Sequence, residues 1–586
     1  MIYSWEVPMS LSGKSDPMAS INLYRRLFGR GMILIAMAMA WAYGFGLGNR
    51  VEAAALSSQV QEILRNRIEP AGTPPKILCR GEQICGSAAL PLFYERRLFR
   101  PAWITDDGPL SQADSLVQSV QEAHREGLRP EGYHLSDIKS LLAEVREATI
   151  QKEPLSPEKL ADLDLLLTDV FLIYSSHLLR GRVNPETIQA EWYAESRKAN
   201  LDRILQIALD ARQIENVLQS LLPRDPGYAR LRQALLDYRS IVQRGGWPEV
   251  PGGPKMRLGD FGERIRILRH RLAVSGDLDP AQERDGLLFN VALERGVKKF
   301  QQRHGLQIDG VVGPATLAAL NFSADKRVRQ IEANLERWRW LPQEFGPRYI
   351  LVNIANFGLE VMENGRTVMT MRAIVGKSFQ RTPVFSAEMT YLVFCPYWNV
   401  PDSIVKEEML PLIHKDPGYL AQNQLKLFQG WGSQQKEIDP KTVDWSGVNA
   451  ENFPYHLRQE PGPMNPLGRV KLMFPNKFNV YLHDSPARVL FWKPEREFSH
   501  GCIRIHKAQE LAEYVLRGEP GWTPESVREA AEKSLDQIVR LPEPIPVHML
   551  YWTAWVDADG VVHFRKDIYG RDKPLEEALG GQSPTS

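Results

Sequence analysis

Apolar and polar residues alternate with two different periods along this chain of 586 residues. From residue 57 to about 245, stretches such as LADLDLLLTDVFLIYSSHLLRG carry apolar residues at three- and four-residue spacing, which predicts helices. From about residue 345, RYILVNIANFGLEVMENGRTVMTMRAIVG alternates apolar and polar positions around the turn ENG, which predicts a β-hairpin. A chain of this length and pattern is expected to fold as an α+β protein with several domains.

Between these regions, a Gly/Pro-rich stretch over residues 244–260 predicts a linker. It is followed by a compact helical unit over residues 261–321, in which Asp309-Gly310 indicates a turn and Gly313-Pro314 leads into a short last helix. Residues 402–475 lack a clear period. An irregular insertion of that length beside predicted strands is typical of a lid over an active site.

The end of the chain is predicted to form a separate C-terminal unit over residues 521–572, followed by a polar tail over residues 573–586. Within this unit, TPESVREAAEKSLDQIVRL has a helical period, and IPVHMLYWTAWVDADGVVHF reads as a hairpin.

Residues 1–56 have the pattern of an export segment. Three arginines between positions 25 and 30 precede an uncharged apolar run over residues 31–48, and Ala53 and Ala55 supply an A-x-A cleavage pattern. The run is also long enough for a marginal membrane span. Export is therefore expected, and both a cleaved signal and a retained anchor fit the pattern.

Charge and cysteine content narrow the chemistry. The net charge of +1 predicts no broad basic surface, so nucleic acid is not an expected partner. Among the four cysteines, Cys79 and Cys85 are close enough in sequence to form a small disulfide loop in an oxidising compartment. Cys395 lies in an apolar strand-like run and is expected to be a buried thiol. Cys502 is left unpaired, and a free thiol in an exported protein needs a reason.

Three roles are open for Cys502, which lies in YLHDSPARVLFWKPEREFSHGCIRIHK. It could bind zinc with His483, His500 and His506, although structural zinc sites usually draw on paired knuckles and none is present. It could be an inert thiol, although SHGC is polar rather than apolar. It could also be a nucleophile. No metal and no cofactor are expected.

The nucleophile role explains more residues than the other two. A thiol needs a base to take its proton at neutral pH, and His483 ends an apolar strand close enough in sequence to reach a neighbouring strand. Gly501 would let its own amide and that of Cys502 point at a developing oxyanion. Arg504 could hold a carboxylate and favour the thiolate.

The pattern H-D-S…S-H-G-C-I-R, from His483 to Arg504, resembles the signature of the L,D-transpeptidase catalytic domain with the YkuD-type fold. G-L-x-x-D-G-x-x-G-x-x-T, from Gly305 to Thr316, resembles the small three-helix peptidoglycan-binding module of wall enzymes. The whole arrangement is similar to the large periplasmic L,D-transpeptidases. The resemblance implies a helical scaffold domain over 57–245, the module over 261–321 and a β-rich catalytic domain over 345–520 with the lid-like insertion at 402–475.

By this resemblance Cys502 is the nucleophile and His483 the general base. Ser499 and His500 would shape the loop. Tyr481 and Trp398 would contact substrate together with Gly501 and Arg504, although ordinary core packing explains both aromatic residues equally well. Smaller family members often have Asn two positions after the cysteine, where this chain has Arg504.

The activity implied is formation of 3→3 peptidoglycan cross-links through a cysteine acyl-enzyme, with release of D-Ala. Donor tetrapeptide stems, acceptor diaminopimelate amines and cell-wall glycan would be the partners, in the periplasm, with possible anchoring in the inner membrane by residues 31–48. Carbapenems would acylate Cys502. Hydrolysis by an L,D-carboxypeptidase, protein anchoring and a non-catalytic wall-binding scaffold remain alternatives. A papain-like amidase fits poorly because its cysteine precedes its histidine.

Overall fold

The computed structural model describes residues 55–72, 76–79, 82–83, 88–188, 191–193, 197–281, 286–416, 418–430 and 432–580. Residues 1–54 of the predicted export segment, Cys85 and the last six residues lie outside these ranges. The export segment and the Cys79–Cys85 disulfide therefore stay predictions. Across the described ranges, no helix has both the length and the apolar character required to cross a bilayer.

Helices and short hairpins form the N-terminal part of the described chain. In order they are α1 Leu56–Ile68, β1 Leu78–Cys79, β2 Glu82–Gln83, α2 Ala89–Arg96, β3 Ile104–Thr105, β4 Gly108–Pro109, α3 Ser111–Gln121, α4 Leu135–Gln151, α5 Pro157–Arg180, α6 Leu201–Asp210, α7 Ile214–Ser220 and α8 Pro226–Gln243. The central helix is α5, which is buried on nearly every face, as its almost continuous apolar sequence requires. The hydroxyl of Ser156 caps its first turn by accepting the backbone N–H of Lys159.

Three further helices, α9 Glu263–Val274, α10 Val291–Arg303 and α11 Pro314–Leu320, form the small unit with a hydrophobic core of its own. The Asp309-Gly310 turn is tied to α10, because the Gln301 side chain donates to Asp309 Oδ1 at 2.8 Å and accepts the N–H of Gly310 at 2.9 Å. These bonds explain the D-G pair of the motif as a structural feature of the turn.

The next helix, α12 Ala324–Arg339, joins the helical part to the β-rich part. Arg339 and Glu336 form a fully buried ion pair at 2.5 Å, and Arg339 Nη1 also donates to the backbone oxygen of Glu126 at 2.8 Å. Arg337 pairs with Asp572 near the end of the chain at 2.6 Å. Since buried charges are costly unless paired, these contacts fix α12 between the two regions.

The remaining elements belong to the β-rich part. They are β5 Arg348–Asn353, β6 Gly358–Glu363, β7 Arg366–Gly376, β8 Phe385–Phe394, β9 Trp398–Asn399, α13 Asp402–Ile404, α14 Leu410–Lys415, α15 Tyr419–Gln422, β10 Leu425–Gln429, β11 Lys436–Ile438, β12 Tyr455–Gln459, β13 Val470–Met473, β14 Leu482–His483, β15 Glu497–Ser499, β16 Ile503–Ile505, α16 Ala508–Val515, α17 Pro524–Glu532, β17 Gln537–Leu550, β18 Ala554–Val556, β19 Val562–Phe564 and α18 Asp572–Gly580.

The strands of the main sheet close into a ring. Hydrogen bonding runs β7–β16–β14–β13–β8–β17–β5–β6, and β6 pairs with β7 again. The apolar residues that alternate along these strands share one continuous core with the N-terminal helices. The β-rich domain is therefore packed against the scaffold rather than connected to it only by a linker.

The predicted insertion has a fold of its own. Strands β11, β10, β12 and β9 form a separate sheet over a small apolar cluster that includes Val405, Ile413 and Leu457. Its end differs from the prediction, because residues 470–473, placed inside the insertion, form strand β13 of the main sheet. Val470 and Leu472 are buried there.

The predicted C-terminal unit and polar tail also need correction. The helix ends at Glu532, although the sequence pattern predicted that it would continue to residue 541. Strand β17 then begins at Gln537 and lies in the middle of the catalytic sheet, between β8 and β5. From residue 572 the chain forms α18, with Leu575 and Leu579 buried. Packing against α12 and the ion pair with Arg337 keep this helix ordered despite its polar composition.

Candidate active site

Neighbouring parallel strands carry the predicted nucleophile and base. In the pairing of β14 with β16, Leu482 lies opposite Ile503 and His483 opposite Arg504. Cys502 directly precedes β16, and the N–H of Ile503 donates to the backbone oxygen of Tyr481 at 3.1 Å. The sheet therefore places His483 and Cys502 on neighbouring segments, two register positions apart. Within the described chain no hydrogen bond joins the two side chains, and Cys502 Sγ instead lies 3.7 Å from the backbone oxygen of Asn479.

A single hydroxyl holds the turn before Cys502. Ser499 Oγ donates to the backbone oxygen of Cys502 at 2.5 Å and accepts the N–H of Gly501 at 3.2 Å. Gly501 has φ = 106°, a conformation that side chains rarely tolerate. Because the Gly501 N–H is already bonded to Ser499, it is not free to receive an oxyanion, contrary to the expectation from sequence. The loop-shaping role of Ser499 stays a prediction that these two bonds support.

A second layer of hydrogen bonds supports the same turn. Thr382 Oγ1 donates to the backbone oxygen of Gly501 at 2.9 Å and accepts the N–H of Gly376 at 3.0 Å. Tyr569 Oη donates to the Gly376 oxygen at 2.6 Å and accepts the Thr382 N–H at 3.2 Å. Because all of these groups are buried, the turn has little freedom to shift.

The His483 imidazole is buried, with 4% of its surface exposed. Burial, followed by the nearby positive charge of Arg504, lowers the pKa of His483 to about 3 despite contacts with the carbonyls of Asp484 and Leu467. The ring is therefore neutral at pH 7. Its Nδ1 lies 2.6 Å from the Asp484 oxygen, and a proton there leaves Nε2 as the basic nitrogen.

The thiol of Cys502 is also held in its neutral form. Burial raises its pKa, and interactions with the backbone and side chain of Tyr481, then with Lys471 and Arg504, only partly oppose this rise. Since a low pKa for His483 and a high pKa for Cys502 both favour neutral partners, the resting pair is thiol and imidazole rather than an ion pair. The thiolate expected from the sequence is not favoured in this resting state.

Lysine and arginine side chains nevertheless surround the thiol. Lys471 lies opposite His483 on the other neighbouring strand, and its Nζ is 3.9 Å from the centre of the Tyr481 ring. Burial lowers the pKa of Lys471, and the proximity of Cys502 opposes that shift. Arg504 is half-buried, and its Nε has no hydrogen-bond partner among the described residues. Negative charge that develops on or near the sulfur would thus be stabilised by both cations.

The insertion contacts the catalytic loop through one carboxylate. Glu408, in the π-helical turn Val405–Met409, lies 2.5 Å from His500 Nε2 and 3.8 Å from Lys377 Nζ. This contact lowers the pKa of Glu408, mainly through the hydrogen bond with His500. His500 thus connects the loop to the insertion. His506 instead contacts Phe491 at a tilt and Trp492 edge-to-face, and the described residues contain no cluster of His, Cys, Asp and Glu that could hold a metal ion.

The other predicted residues belong to other elements than the turn that carries the thiol. Trp398 belongs to β9 and packs against the apolar cluster of the insertion, which agrees with the core-packing alternative. Cys395 is buried, and its Sγ lies 2.7 Å from the Lys533 backbone oxygen. Cys79 is buried near Asp162, and its predicted partner is outside the described ranges.

Several residues at the site were missed by the sequence analysis, namely Thr382, Glu408, Lys471, Asn479 and Tyr569. A signal existed for Lys471, which stands in the apolar strand RVKLMF. The others lie in loops or in the insertion, where no periodic pattern distinguishes them.

Comparisons with known proteins agree with this arrangement. A family model described as "Scaffold domain" matches residues 88–235, one described as "Putative peptidoglycan binding domain" matches 261–320, and one described as "L,D-transpeptidase catalytic domain" matches 347–523. The catalytic match begins before β5 and includes the strands that carry His483 and Cys502.

Similar proteins include a "Putative L,D-transpeptidase" of Haemophilus influenzae, 32% identical over 252 residues, which covers 43% of this chain and 49% of that protein. An N-acetylmuramoyl-L-alanine amidase, CwlM, of Mycobacterium tuberculosis is 37% identical over 81 residues, or 12% of this chain and 20% of the amidase. The chain thus spans half or less of the length of these curated relatives.

Among solved structures, an L,D-transpeptidase from Xylanimonas cellulosilytica overlaps with a TM-score of 0.15 at 14% identity, covering 51% of this chain and 98% of that one. One from Stackebrandtia nassauensis has a TM-score of 0.19 at 14% identity, covering 52% of this chain and 96% of that one. The family models show that this chain carries a scaffold domain, a peptidoglycan-binding domain and an L,D-transpeptidase catalytic domain, in this order.

Proposed function

We propose that this protein is a cysteine acyltransferase that joins peptidoglycan stem peptides by 3→3 cross-links outside the cytoplasm. The observation that carries the proposal is the placement of Cys502 and His483 on adjacent parallel strands, beside Lys471 and Arg504. A neutral buried imidazole and a neutral thiol are suited to proton transfer that accompanies nucleophilic attack.

In the first half-reaction, His483 takes the proton of Cys502 as Sγ attacks the carbonyl carbon at the L-centre of diaminopimelate in a donor tetrapeptide. The developing oxyanion requires donors other than the Gly501 amide, which is bonded to Ser499. We assign this role to the Cys502 amide and the Tyr481 hydroxyl, because Tyr481 contacts the sulfur. The C–N bond to D-Ala then breaks, and the leaving amine receives the proton from His483.

In the second half-reaction, the side-chain amine of another stem attacks the thioester carbonyl. His483 removes a proton from that amine, the C–S bond breaks, and the thiol is regenerated. Water in place of the amine would give hydrolysis. The insertion, held to the catalytic loop by the Glu408–His500 contact, is suited to limit the entry of water at this stage.

Arg504 is the residue best suited to recognise the carboxylates of the donor stem. Its Nε has no partner among the described residues although it is buried, and an incoming carboxylate would satisfy it. The half-buried guanidinium belongs to β16, two residues after the nucleophile. A lysine could supply the charge but not the planar donor pair.

The test combines mass spectrometry of the protein with analysis of its products. We expect incubation with a donor tetrapeptide, or with a carbapenem, to give an adduct on Cys502 that is absent from Cys502→Ala. Cys395→Ala serves as the matched control, because it removes the other thiol of the β-rich domain, and it should keep the adduct.

Products from purified cross-linkable peptidoglycan should contain 3→3 dimers and free D-Ala. If tripeptides form without dimers, the activity is that of a carboxypeptidase rather than a transferase. A protein that forms no adduct while retaining affinity for the wall would instead be a binding scaffold.

A further inference from the structure

The small helical module and the catalytic domain form an open groove of about 620 Å³, and neither Cys502 nor His483 lines it. One wall is the end of α10 and the following loop of the module. The other wall comes from the catalytic domain, with Phe357, Arg372, Trp492, Lys493, Arg496 and Arg565. The two walls meet where the Arg565 side chain passes over Gly305, so closely that a Cβ at Gly305 would come within 2.6 Å of Arg565 Cδ.

The charges of this groove are not neutralised. Among the described residues, none of Arg372, Lys493, Arg496 and Arg565 forms an ion pair with a carboxylate. Arg496 donates to the backbone oxygens of Ala373, Phe357 and Lys493, and Arg565 donates to Asn356 Oδ1 and to the backbone oxygens of Arg303 and Phe564. Burial and the charge of Arg372 lower the pKa of Arg496 to about 10, and the negative charge of Glu497 opposes this shift. Burial and the charge of Arg496 lower the pKa of Arg565 to about 9. Clustered cations that destabilise one another would be stabilised by an anion.

An aromatic surface lies beside these cations. Trp492 is 63% exposed, and its ring carries the Arg372 guanidinium at 4.0 Å and the edge of His506. A large exposed aromatic ring held in place in this way offers a flat apolar surface. The face of a sugar ring could stack on it while attached carboxylates bind the neighbouring guanidinium groups.

One residue of the groove is bonded to the segment that follows the nucleophile. The N–H of His506, four residues after Cys502, donates to the backbone oxygen of Arg372 at 3.0 Å. Four residues of extended chain span about 13 Å. An extended tetrapeptide covers a similar length of about 13–14 Å.

We propose that this groove binds a stem-bearing peptidoglycan strand, with sugar on Trp492 and stem carboxylates on the Arg372, Arg496, Arg565 and Lys493 side chains. This inference rests on the proposed function for the identity of the polymer and extends it to a strand-binding site shared by the module and the catalytic domain. The module would then help to position the strand whose stem is processed at Cys502.

The test measures binding by the full chain carrying Cys502→Ala, so that no turnover occurs. The probes are soluble glycan chains that bear tetrapeptide stems, the same chains with the stems removed enzymatically, and the free tetrapeptide. The groove variant combines Arg372→Gln with Lys493→Gln, because Lys493 is exposed and Arg372, among the described residues, donates only to the Phe491 oxygen, at 3.3 Å. Lys573→Glu, on an exposed face of α18, is the charge-matched control.

We expect the groove variant to weaken binding of stem-bearing chains at least about tenfold, because it removes charge-assisted hydrogen bonds. The Lys573→Glu control should bind as the parent does, and an unchanged melting temperature would show that the variant is folded. Equal affinity of variant and parent for stem-bearing chains would overturn the proposal. The proposal would also be overturned if the groove variant weakened binding of the stripped chains as much as binding of the stem-bearing chains, because the groove would then bind neutral glycan.

Failure of the proposed function would be seen separately. Acylation of the protein with Cys502 intact by the free tetrapeptide depends on the thiol site, whereas the binding comparison uses a chain without the thiol. A protein that is not acylated but shows groove-dependent binding would contradict the reaction and leave the groove in place.

Discussion

Replacing Thr382 by valine tests whether the second layer of hydrogen bonds positions the nucleophile. Valine has nearly the shape of threonine but no hydroxyl. The change would leave the Gly501 carbonyl and the Gly376 N–H, both bonded to Thr382 Oγ1 at 2.9 and 3.0 Å, without partners in a fully buried place.

The expected loss follows from these two bonds. Each buried polar group left unsatisfied costs about 1–3 kcal/mol, so the Thr382→Val variant should lose roughly 2–6 kcal/mol of local stability. Thr382→Ser keeps the hydroxyl and removes one methyl group, which costs about 1 kcal/mol. The two variants therefore separate the hydrogen bonds from the packing.

The assay has two readouts. Hydrogen exchange of the Gly501 and Cys502 amides reports the local opening of the turn, and the rate of Cys502 acylation by the donor tetrapeptide reports its geometry. We expect faster exchange and slower acylation in Thr382→Val, with both largely restored in Thr382→Ser. Equal behaviour of the two variants would refute a positioning role for the hydroxyl.

Further predictions concern charge around the site. The pKa of His483 falls from about 6.5 in the unfolded chain to about 3 on folding, so the unfolded chain binds the extra proton between these values. The free energy of unfolding should therefore fall as the pH drops through this window, and it should fall less steeply in His483→Gln. Urea unfolding at pH 7 and pH 4.5 measures this difference. Lys471→Met should raise the pKa of Cys502 and slow its alkylation by iodoacetamide, whereas Lys471→Arg should react at a rate closer to that of the parent protein. Equal alkylation rates for Lys471→Met and the parent protein would exclude an electrostatic role for Lys471. Glu408→Gln should weaken the contact with His500 by about 1 kcal/mol or less, since both groups are partly exposed. The weaker contact should increase hydrogen exchange over 402–415 and the ratio of hydrolysis to transfer. An unchanged ratio would mean that the contact does not control access of water.

The sequence was sufficient for the domain types and for the short motif around the thiol. Residues 483 to 504 hold the base, the turn and the nucleophile within one segment, so local spacing indicated their proximity. The helical and strand periods likewise predicted the scaffold, the small module and the β-rich region, because each pattern reflects the burial of one face.

Contacts between distant segments could not be read in this way. Thr382 meets Gly501 across 119 residues, and Tyr569 meets Gly376 across 193, and neither pairing follows from a periodic pattern. The prediction of a thiolate was incomplete for the same reason. Burial of Cys502 and His483 depends on strands β13, β14 and β16 coming together, and it opposes the charged forms that nearby cations would favour.

The position of β17 has a consequence for how the protein is made. Val547 pairs with Ile350, 197 residues earlier (547 − 350), and β17 lies between strands that are both completed before residue 395. Until the ribosome has added almost the whole chain, β5 and β8 have unsatisfied edges that can associate with other molecules. Chains truncated before β17 are thus expected to aggregate rather than survive as partly active fragments.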